Sequence, residues 1–478
     1  MEGIHQTSTT AAAAAAASEP PSKRPRGAGD GGGAGSAAAV KGKEEEDRLG
    51  NLPDCLLEDI LAHLTSRQAV QTGLLSRRWR NLWRGVRAVD IDVRELRVEG
   101  PNGPYFDRDR IEDLADAILS PGPLPGAARE LDALRLHLHE DALAANFQRW
   151  IRRALRRRPA SIDITYVVRT CISWPPPVTL TPPAAASRIK TLRLYGLRPT
   201  IAFGALEFPA LEDLHIEKCA YPHGSIALPT LKRFALISPI NGSFIREQHL
   251  TAPRLTSLRL VLPYNRVHGG VRVLADAPLV SLVDASISIF DTDPVDQRNR
   301  RPNQIQVDFF VSVSNLIGRL TSASNLDLSG FPAMALLDTK SQEMSMFPHL
   351  TSLLLDECDI GNKYHVLNSI LQNAQNLEQL KLHNCKFVGK SRRKMGKPKS
   401  KEKTSRCSSS TSPSFVCNSL KSVEIKYPRD DVPSHDFLYE FQKETPANQW
   451  RKRSIDNEET ALVELQRKWN KGDAKYEA

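Results

Sequence analysis

The chain has no CxxC pair: its seven cysteines, Cys55, Cys171, Cys219, Cys358, Cys385, Cys407 and Cys417, are scattered and odd in number. That excludes a zinc site built on paired thiols and a disulfide framework, and suits reduced thiols in a reducing compartment. No apolar run approaches the roughly 20 residues that a membrane-spanning helix needs. No charged-then-apolar start resembles a secretory signal, so a soluble intracellular protein is expected. The sequences GxSxG, HExxH, GxxxxGK[ST] and GxGxxG are also missing, which leaves no motif for an activated nucleophile, a metal-bound water or a phosphate cradle. The 478 residues are enough for two or three domains, or for one small domain joined to a repeat array.

Excess charge is confined to one place. The 65 Lys and Arg outnumber the 55 Asp and Glu by 10. Between Gly389 and Arg406 nine basic residues face one acid, Glu402, so this stretch alone contributes 9 − 1 = +8. A folded nucleic-acid-binding face carries its basic stripe over an ordered surface. Here the excess sits in a Ser/Lys/Pro-rich segment with hardly an apolar residue, so nucleic acid is not the expected partner. Residues 1–46 combine an alanine run, SKRPR (Ser22 to Arg26) and a glycine run. Such a composition cannot bury enough apolar surface to offset chain entropy, and it reads as a disordered leader. SKRPR has the form of a nuclear-import signal.

From Leu52 the pattern turns helical. In LPDCLLEDILAHL, Leu56, Leu57, Ile60, Leu61 and Leu64 recur at helical spacing, with Pro53 suited to a first turn and Asp54 to the positive helix end. Thr65 and Gln68 have capping-box spacing for a second helix through Ala69, Val70 and Leu74, weakened by Gly73. Ser76 starts a third, on which Trp79, Leu82 and Trp83 share a face while Arg77, Arg78, Arg80 and Arg84 point elsewhere. Three helices in about 40 residues seldom hold a core without metal, disulfide or partner. A partner, or the next domain, must cover this unit.

Beyond it one frame, LxxLxL or a near relative, keeps returning: LDALRL (from Leu131), IKTLRL (Ile189), LEDLHI (Leu211), LKRFAL (Leu231), LTSLRL (Leu255), LTSLLL (Leu350), LEQLKL (Leu377) and LKSVEI (Leu420). Weaker copies are LVSLVD (Leu279) and ASNLDL (Ala323). The spacings fall in or near the leucine-rich-repeat range of about 20–29 residues. LEDLHIEKC, LTSLLLDEC and LEQLKLHNC add a cysteine where such repeats use Asn or Cys to satisfy backbone groups at the turn. Each LxL is expected to be a short parallel strand with its leucines inward. The class is α/β: a short three-helix unit at 47–88, then an irregular leucine-rich-repeat solenoid with a parallel sheet over 89–427. YHVLNSILQNAQN (Tyr364 to Asn376) has helical spacing and SWPPPVTLTPP is a loop, while DTDPVDQRNRRPNQ and residues 389–414 read as insertions. Residues 428–478 form a charged, partly helical C-terminal segment.

Several residues invite a chemical reading that a plainer one outweighs. His137 and His139 fall on alternate exposed positions of a strand. Asp356, Glu357 and Asp359 fit a solvated turn at a strand end. In RWIRRALRRRP, Trp150, Ile151, Ala154 and Leu155 make an apolar face, so Arg152, Arg153, Arg156 and Arg157 read as its solvated side rather than a phosphate grip. No catalytic residue, metal or cofactor is expected.

RLGNLPDCLLEDILAHLTSRQAVQTGLLSRRWRNLWR (residues 48–84) resembles a plant-type F-box, from its Leu-Pro start to its LSRRWRNLW ending. FQRWIRRALRRRPASIDITY resembles the helix-then-strand unit that opens the repeats of plant F-box/leucine-rich-repeat proteins, so the likeness extends over about residues 48 to 427. The resemblance implies that the F-box binds a small Skp-type adaptor, and through it cullin and RING subunits, while the repeats hold a protein substrate for ubiquitination. Adaptor contacts carried over are Leu52, Pro53, Leu56, Leu57, Ile60, Leu61, Val70, Leu75 and Trp79, with Gly73 where the family more often has Ser or Cys. Many relatives end in a further domain; LKSVEIKYP resembles its opening strand, but no closing strand is evident after it.

The expected function is therefore a non-catalytic substrate receptor of a Skp-cullin-F-box ubiquitin ligase, in the nucleus or cytoplasm. The alternative is a non-degradative repeat scaffold, nuclear and RNA-associated through the basic insertion. Nothing specifies a small-molecule pocket. Substrate contacts are expected on the concave sheet, at the variable positions Arg193, His215, Arg259, Leu354 and Lys381, a row with more positive than negative charge.

Overall fold

The computed structural model describes residues 49–455, except 102, 120–129, 140–146, 168–175, 181–187, 201–202, 221–223, 241–246, 268, 293–301, 337–344, 361–364, 387–416, 418 and 429–448. The leader with SKRPR, the basic insertion and residues 456–478 of the C-terminal segment lie outside the described residues.

The first helix, α1 (Asp54–Leu61), follows Pro53 and buries Leu57 and Leu61. The capping box expected from Thr65 and Gln68 is present, opening α2 (Ser66–Gln71). Past Gln71 the chain departs from expectation. It tightens into 3₁₀ turns at Thr72–Leu74 and Trp79–Arg84, and Ser76 caps nothing that follows. Gly73 supplies a reason: a Cβ there would lie 3.3 Å from the Cα of Arg80, so the two turns pack nearly backbone to backbone. Arg78 then donates to Asp54 Oδ1 at 2.7 Å and to the Leu52 carbonyl, tying the second turn to the start of α1.

The rest of the described residues are mixed α/β around a 14-stranded sheet. Its spatial order follows the chain: β1 (Ala88–Asp92), β2 (Ala133–His139), β3 (Ser161–Val167), β4 (Thr191–Tyr195), β5 (Asp213–Glu217), β6 (Arg233–Ile237), β7 (Ser257–Asn265), β8 (Asp284–Asp291), β9 (Asn325–Ser329), β10 (Ser352–Asp356), β11 (Gln379–His383), β12 (Ser422–Pro428) and β13 (Gln449–Ile455). All pair in parallel; the remaining strand, Gly269–Gly270, is antiparallel to β7. α3 (Arg108–Leu119) precedes β2, and α4 (Phe147–Arg156) precedes β3 with Trp150, Ile151, Ala154 and Leu155 buried as expected.

Two strands correct the sequence reading. In register Leu258 faces Ala285 and Leu260 faces Ile287, so the weak frame near Leu279 begins three residues later, at Leu282, with Ala285 where a leucine was sought. β13 forms where no closing strand was evident, because parallel pairing with β12 satisfies its backbone whatever the charge of its side chains. Between β4 and β8 the coils close with short strands Phe203–Gly204, Ser225–Ala227, Glu247–Thr251 and Arg272–Ala275, a second parallel sheet that no leucine frame announced. Further on, helices take that place: α5 (Gln304–Ile317), opened by an Asn303–Gln306 capping box, α6 (Ala333–Leu336) and α7 (His365–Asn373).

Among the described residues, several coils turn off their strands in the same way. The residue after the strand is left-handed in six coils: Gly196, Lys218, Ser238, Gly330, Glu357 and Asn384, with φ between 46° and 77°. Its N–H donates to the carbonyl of the residue on the next strand that pairs with the residue before it, as Gly196 to Glu217 (3.0 Å) and Gly330 to Asp356 (2.8 Å). Cysteine finishes the turn. The thiols of Cys219, Cys358 and Cys385 donate to the Leu194, Leu328 and Leu355 carbonyls at 3.3–3.4 Å. Burial pushes the Cys219 and Cys358 thiols up to about 12, so they stay protonated donors rather than reactive thiolates.

Candidate functional site

Two surfaces stand out, one apolar and one charged. The N-terminal helical unit closes its own small core with Leu57, Leu61, Ala69, Leu82 and Val86, against which Trp79 and Trp83 pack half-buried. Large aliphatic side chains remain outside: Leu56 is 46% exposed, Ile60 43%, Leu74 89% and Leu75 72%. Leu56 and Ile60 are four apart on α1 and share a face. The Arg78 contacts with Asp54 and Leu52 tie the Trp79–Arg84 turn to the start of that helix.

The residues expected to meet an adaptor therefore divide. Pro53, Leu56, Ile60 and Leu75 are exposed, and Leu52 and Trp79 are partly so. Leu57 and Leu61, at 0% and 1% exposure, serve the unit's own core instead, since they lie on the inner side of α1. Val70 packs against the main core of the sheet. Leu74, the most exposed of all, was missed because helical periodicity placed it inside α2, and the 3₁₀ turn rotates it outward.

The unit is fastened to the sheet through α2. Ser66 is buried and its Oγ accepts from the Asp90 N–H at 2.9 Å, while the Thr65 hydroxyl donates to Glu95 at 2.9 Å. This joint brings Ala62 and His63 to the rim of a groove of about 1240 Å³ on the outward face of the sheet, running to Ser257 and Arg259.

The groove floor is set by strand register. The middle outward residues of the thirteen labelled strands align as Asp90, Arg135, Asp163, Arg193, His215, Ala235, Arg259, Ser286, Asp327, Leu354, Lys381, Glu424 and Arg451. Arg193, His215 and Arg259 come together in the groove; Lys381 shares the row but lies four strands beyond Arg259. The row is also more balanced in charge than the five leucine-frame positions suggested. Asp90 and Asp163 come from strands whose sequences, AVDID and SIDITYV, do not carry the leucine frame, and Asp327 and Glu424 add two more acids.

The N-terminal end of the groove is a ladder of alternating sign. Arg135 lies 3.6 Å from Asp90, Arg233 2.9 Å from Asp213, and His215 Nε2 3.3 Å from Glu217. Burial pushes the Asp163 carboxyl above the usual carboxylate range, against the opposing pull of His137, Arg193, His215 and Arg135. Asp90 is raised for the same reason, opposed by His137 and Arg135.

His137 and His139 occupy alternate outward positions of β2. In α4, Arg152 and Arg156 are exposed, but Arg153 bonds Asp116 of α3, as does Arg149 at 2.8 Å, and burial lowers the Arg157 guanidinium, which reaches the Ile118 carbonyl. These arginines fasten α4 to α3. Asp356 is only 8% exposed, because the coil turn folds over it, so it is not part of a solvated loop.

Residues 49–88 match the family model of the F-box domain. The chain is similar to the MEIOTIC F-BOX protein MOF of Oryza sativa subsp. japonica, 72% identical over 424 residues, covering 88% of each protein. It is also similar to an F-box/FBD/LRR-repeat protein of Arabidopsis thaliana, 25% identical over 380 residues, covering 70% of this chain and 76% of that protein. A second Arabidopsis protein of the same description is 57% identical over 53 residues, 11% of this chain and 12% of the other.

Proposed function

Because the chain belongs to the plant F-box proteins with leucine-rich repeats, we propose that it is the substrate-recognition subunit of a Skp-cullin-F-box ubiquitin ligase. F-box proteins in general serve as substrate adaptors of such ligases and bind a Skp-type adaptor. In this chain the F-box, taken as residues 47–88, docks the adaptor, and the repeats, taken as 89–427 and stacked as a solenoid, hold the target protein. The C-terminal segment 428–478 extends the sheet with β13. The chain carries no catalysis of its own. It accelerates ubiquitin transfer by proximity, holding an acceptor lysine near the charged enzyme. It works in the nucleus or cytoplasm, where that machinery operates.

The observation that carries this reading is the set Leu56, Ile60, Leu74 and Leu75, left exposed by a domain whose own core is already closed. Exposed aliphatic side chains in such density mark a protein interface. Replacing Leu56 and Ile60 with glutamate places two charges on that face without entering the core, and should abolish co-purification with a Skp-type adaptor while the far-ultraviolet circular dichroism spectrum stays that of the unmodified chain. Undiminished adaptor binding by the double variant removes the receptor reading.

A further inference from the structure

Between β1 and α3 the chain makes a hairpin that belongs to neither large sheet. Arg97–Gly100 pairs antiparallel with Gly103–Phe106, setting Val98 opposite Tyr105 and Glu99 opposite Pro104. Phe106 is the anchor: it packs against the main core, and its ring lies 5.1 Å from that of His139. Beyond it the ribbon stands in solvent, with Arg97, Glu99, Pro104 and Tyr105 exposed. Among the described residues no further strand joins either edge.

The two edges differ. Pro104 has no N–H, so the Glu99/Pro104 pair exchanges no backbone hydrogen bonds, and the Val98/Tyr105 pair beside it does. The backbone groups of Arg97 and Glu99 therefore point away from the hairpin on one side, and those of Pro104 and Phe106 on the other. On the second side the proline withholds a donor, which guards that edge against strand addition. The first side has no such guard. Glu99 presents both N–H and carbonyl there, and Arg97 its carbonyl, its N–H being already given to the Arg94 carbonyl.

Charge then selects the occupant. A second copy of the same strand, running antiparallel, can meet these outward groups in three registers. Two of them set Arg97 opposite Arg97 or Glu99 opposite Glu99, and like charges directly opposite are destabilising. The third, centred on Val98, sets Arg97 of each copy opposite Glu99 of the other and lets each Glu99 N–H donate to the Arg97 carbonyl across the axis. On the other face it brings the two Val98 side chains together between the two Tyr105 rings, one apolar row. The Arg97 guanidinium lies 5.9 Å from the centre of the Phe106 ring, at the outer limit of a cation–π contact, so it is held loosely enough to turn to a carboxylate.

We propose that the Arg97–Gly100 edge pairs with the same edge of a second copy of this chain, joining the two hairpins into one antiparallel sheet about a two-fold axis. This goes beyond the receptor reading above and does not depend on it.

The test is sedimentation of the full-length chain over a range of concentrations. So short an edge buries little area, so the dissociation constant should be on the order of 10 μM. Arg97→Glu and Glu99→Arg should each weaken self-association about tenfold or more, because each sets like charges opposite one another. Mixed in equal amounts, the two variants should pair with each other as the unmodified chain pairs with itself, and the double variant Arg97→Glu with Glu99→Arg should again self-associate. Variants that pair on mixing are necessarily folded. Glu99→Pro should abolish association, since it withdraws an outward N–H without breaking a bond inside the hairpin. A chain that stays monomeric well above the expected constant overturns the proposal. So does a dimer indifferent to the single reversals or to Glu99→Pro, or a reversal that mixing does not rescue.

Discussion

The F-box and the repeats use leucine in opposite ways. In the repeats nearly every frame leucine is buried, Leu353, Leu355, Leu380 and Leu382 to 0% exposure, and charge is left for the outward face. In the F-box only Leu57, Leu61 and Leu82 are buried, while Leu56, Ile60, Leu74 and Leu75 stand in solvent. The difference follows from size. A stack of coils gives each strand neighbours on both sides, so its apolar side chains are always covered from within. Two short helices and two 3₁₀ turns can cover only a few of their own, and the remainder stay in solvent. Burial and exposure thus divide one set of leucines in the F-box and are separated onto two faces of each strand in the repeats.

The strongest way to break this comparison is at the coil turn. Gly330 has φ +77°, and a Cβ there would lie 2.0 Å from the Ile289 carbonyl oxygen. Gly330→Ala should therefore cost on the order of 4 kcal/mol in urea unfolding, from left-handed strain plus a clash with rigid backbone. Gly73 in the F-box has no positive φ, and its Cβ would meet Arg80 at 3.3 Å. Gly73→Ala should cost less than about 1 kcal/mol, because helix propensity gained offsets a small displacement. Similar costs at the two glycines would mean that the coil turns yield as easily as the F-box.

The leucines provide the next test. Leu355→Ala in β10 should destabilise the chain by about 3 kcal/mol through loss of contacts and a cavity. Leu56→Ala should change stability by no more than about 0.5 kcal/mol, since an exposed side chain leaves no cavity. If both changes cost the same in a thermal melt, Leu56 is covered by something within the chain and is not free for an adaptor.

A smaller effect is expected on the outward face. Reversing Arg193, Arg259 and Lys381 to glutamate should leave adaptor binding intact and reduce capture of a target by about tenfold, mostly through slower association at low salt. Capture of the same partners at the same rates would move the binding surface elsewhere. The smallest effect concerns pH. Burial raises the Asp163 carboxyl above its ordinary range, so the native state holds that proton more tightly than the unfolded chain does. Stability from this group is present at low pH and is lost as pH rises through the raised value. Asp163→Asn should accordingly raise the melting temperature slightly at pH 7, and the gain should vanish below the ordinary carboxylate range. A loss at pH 7 would show that its arginine neighbours outweigh its burial.

Much of this architecture was legible because it depends on local pattern. The capping box at Thr65 and Gln68, the inward leucines of each LxL, the apolar face of α4 and the cysteines that finish coil turns are all set by residue type and spacing along the chain. The strands β1 and β13 and the second sheet were not, because backbone pairing with a neighbour formed them without a leucine frame of their own. Site residues divide along the same line. That Leu56 would lie on a helix with Leu57 follows from the sequence. That Leu57 faces inward while Leu74 faces water was decided by the 3₁₀ turns and the closeness of Gly73 to Arg80. Arg193, His215 and Arg259 could each be assigned an outward position from LxL alone. Their neighbours Asp90 and Asp163, and the short side chains around Arg259, became part of one groove only through parallel register, which places residues far apart in the chain about 4.8 Å apart in space. The sequence by itself determined which side chains each coil buries, because that is a period of two along a strand; which charges meet on the opposite face was decided by the stacking of strands against one another.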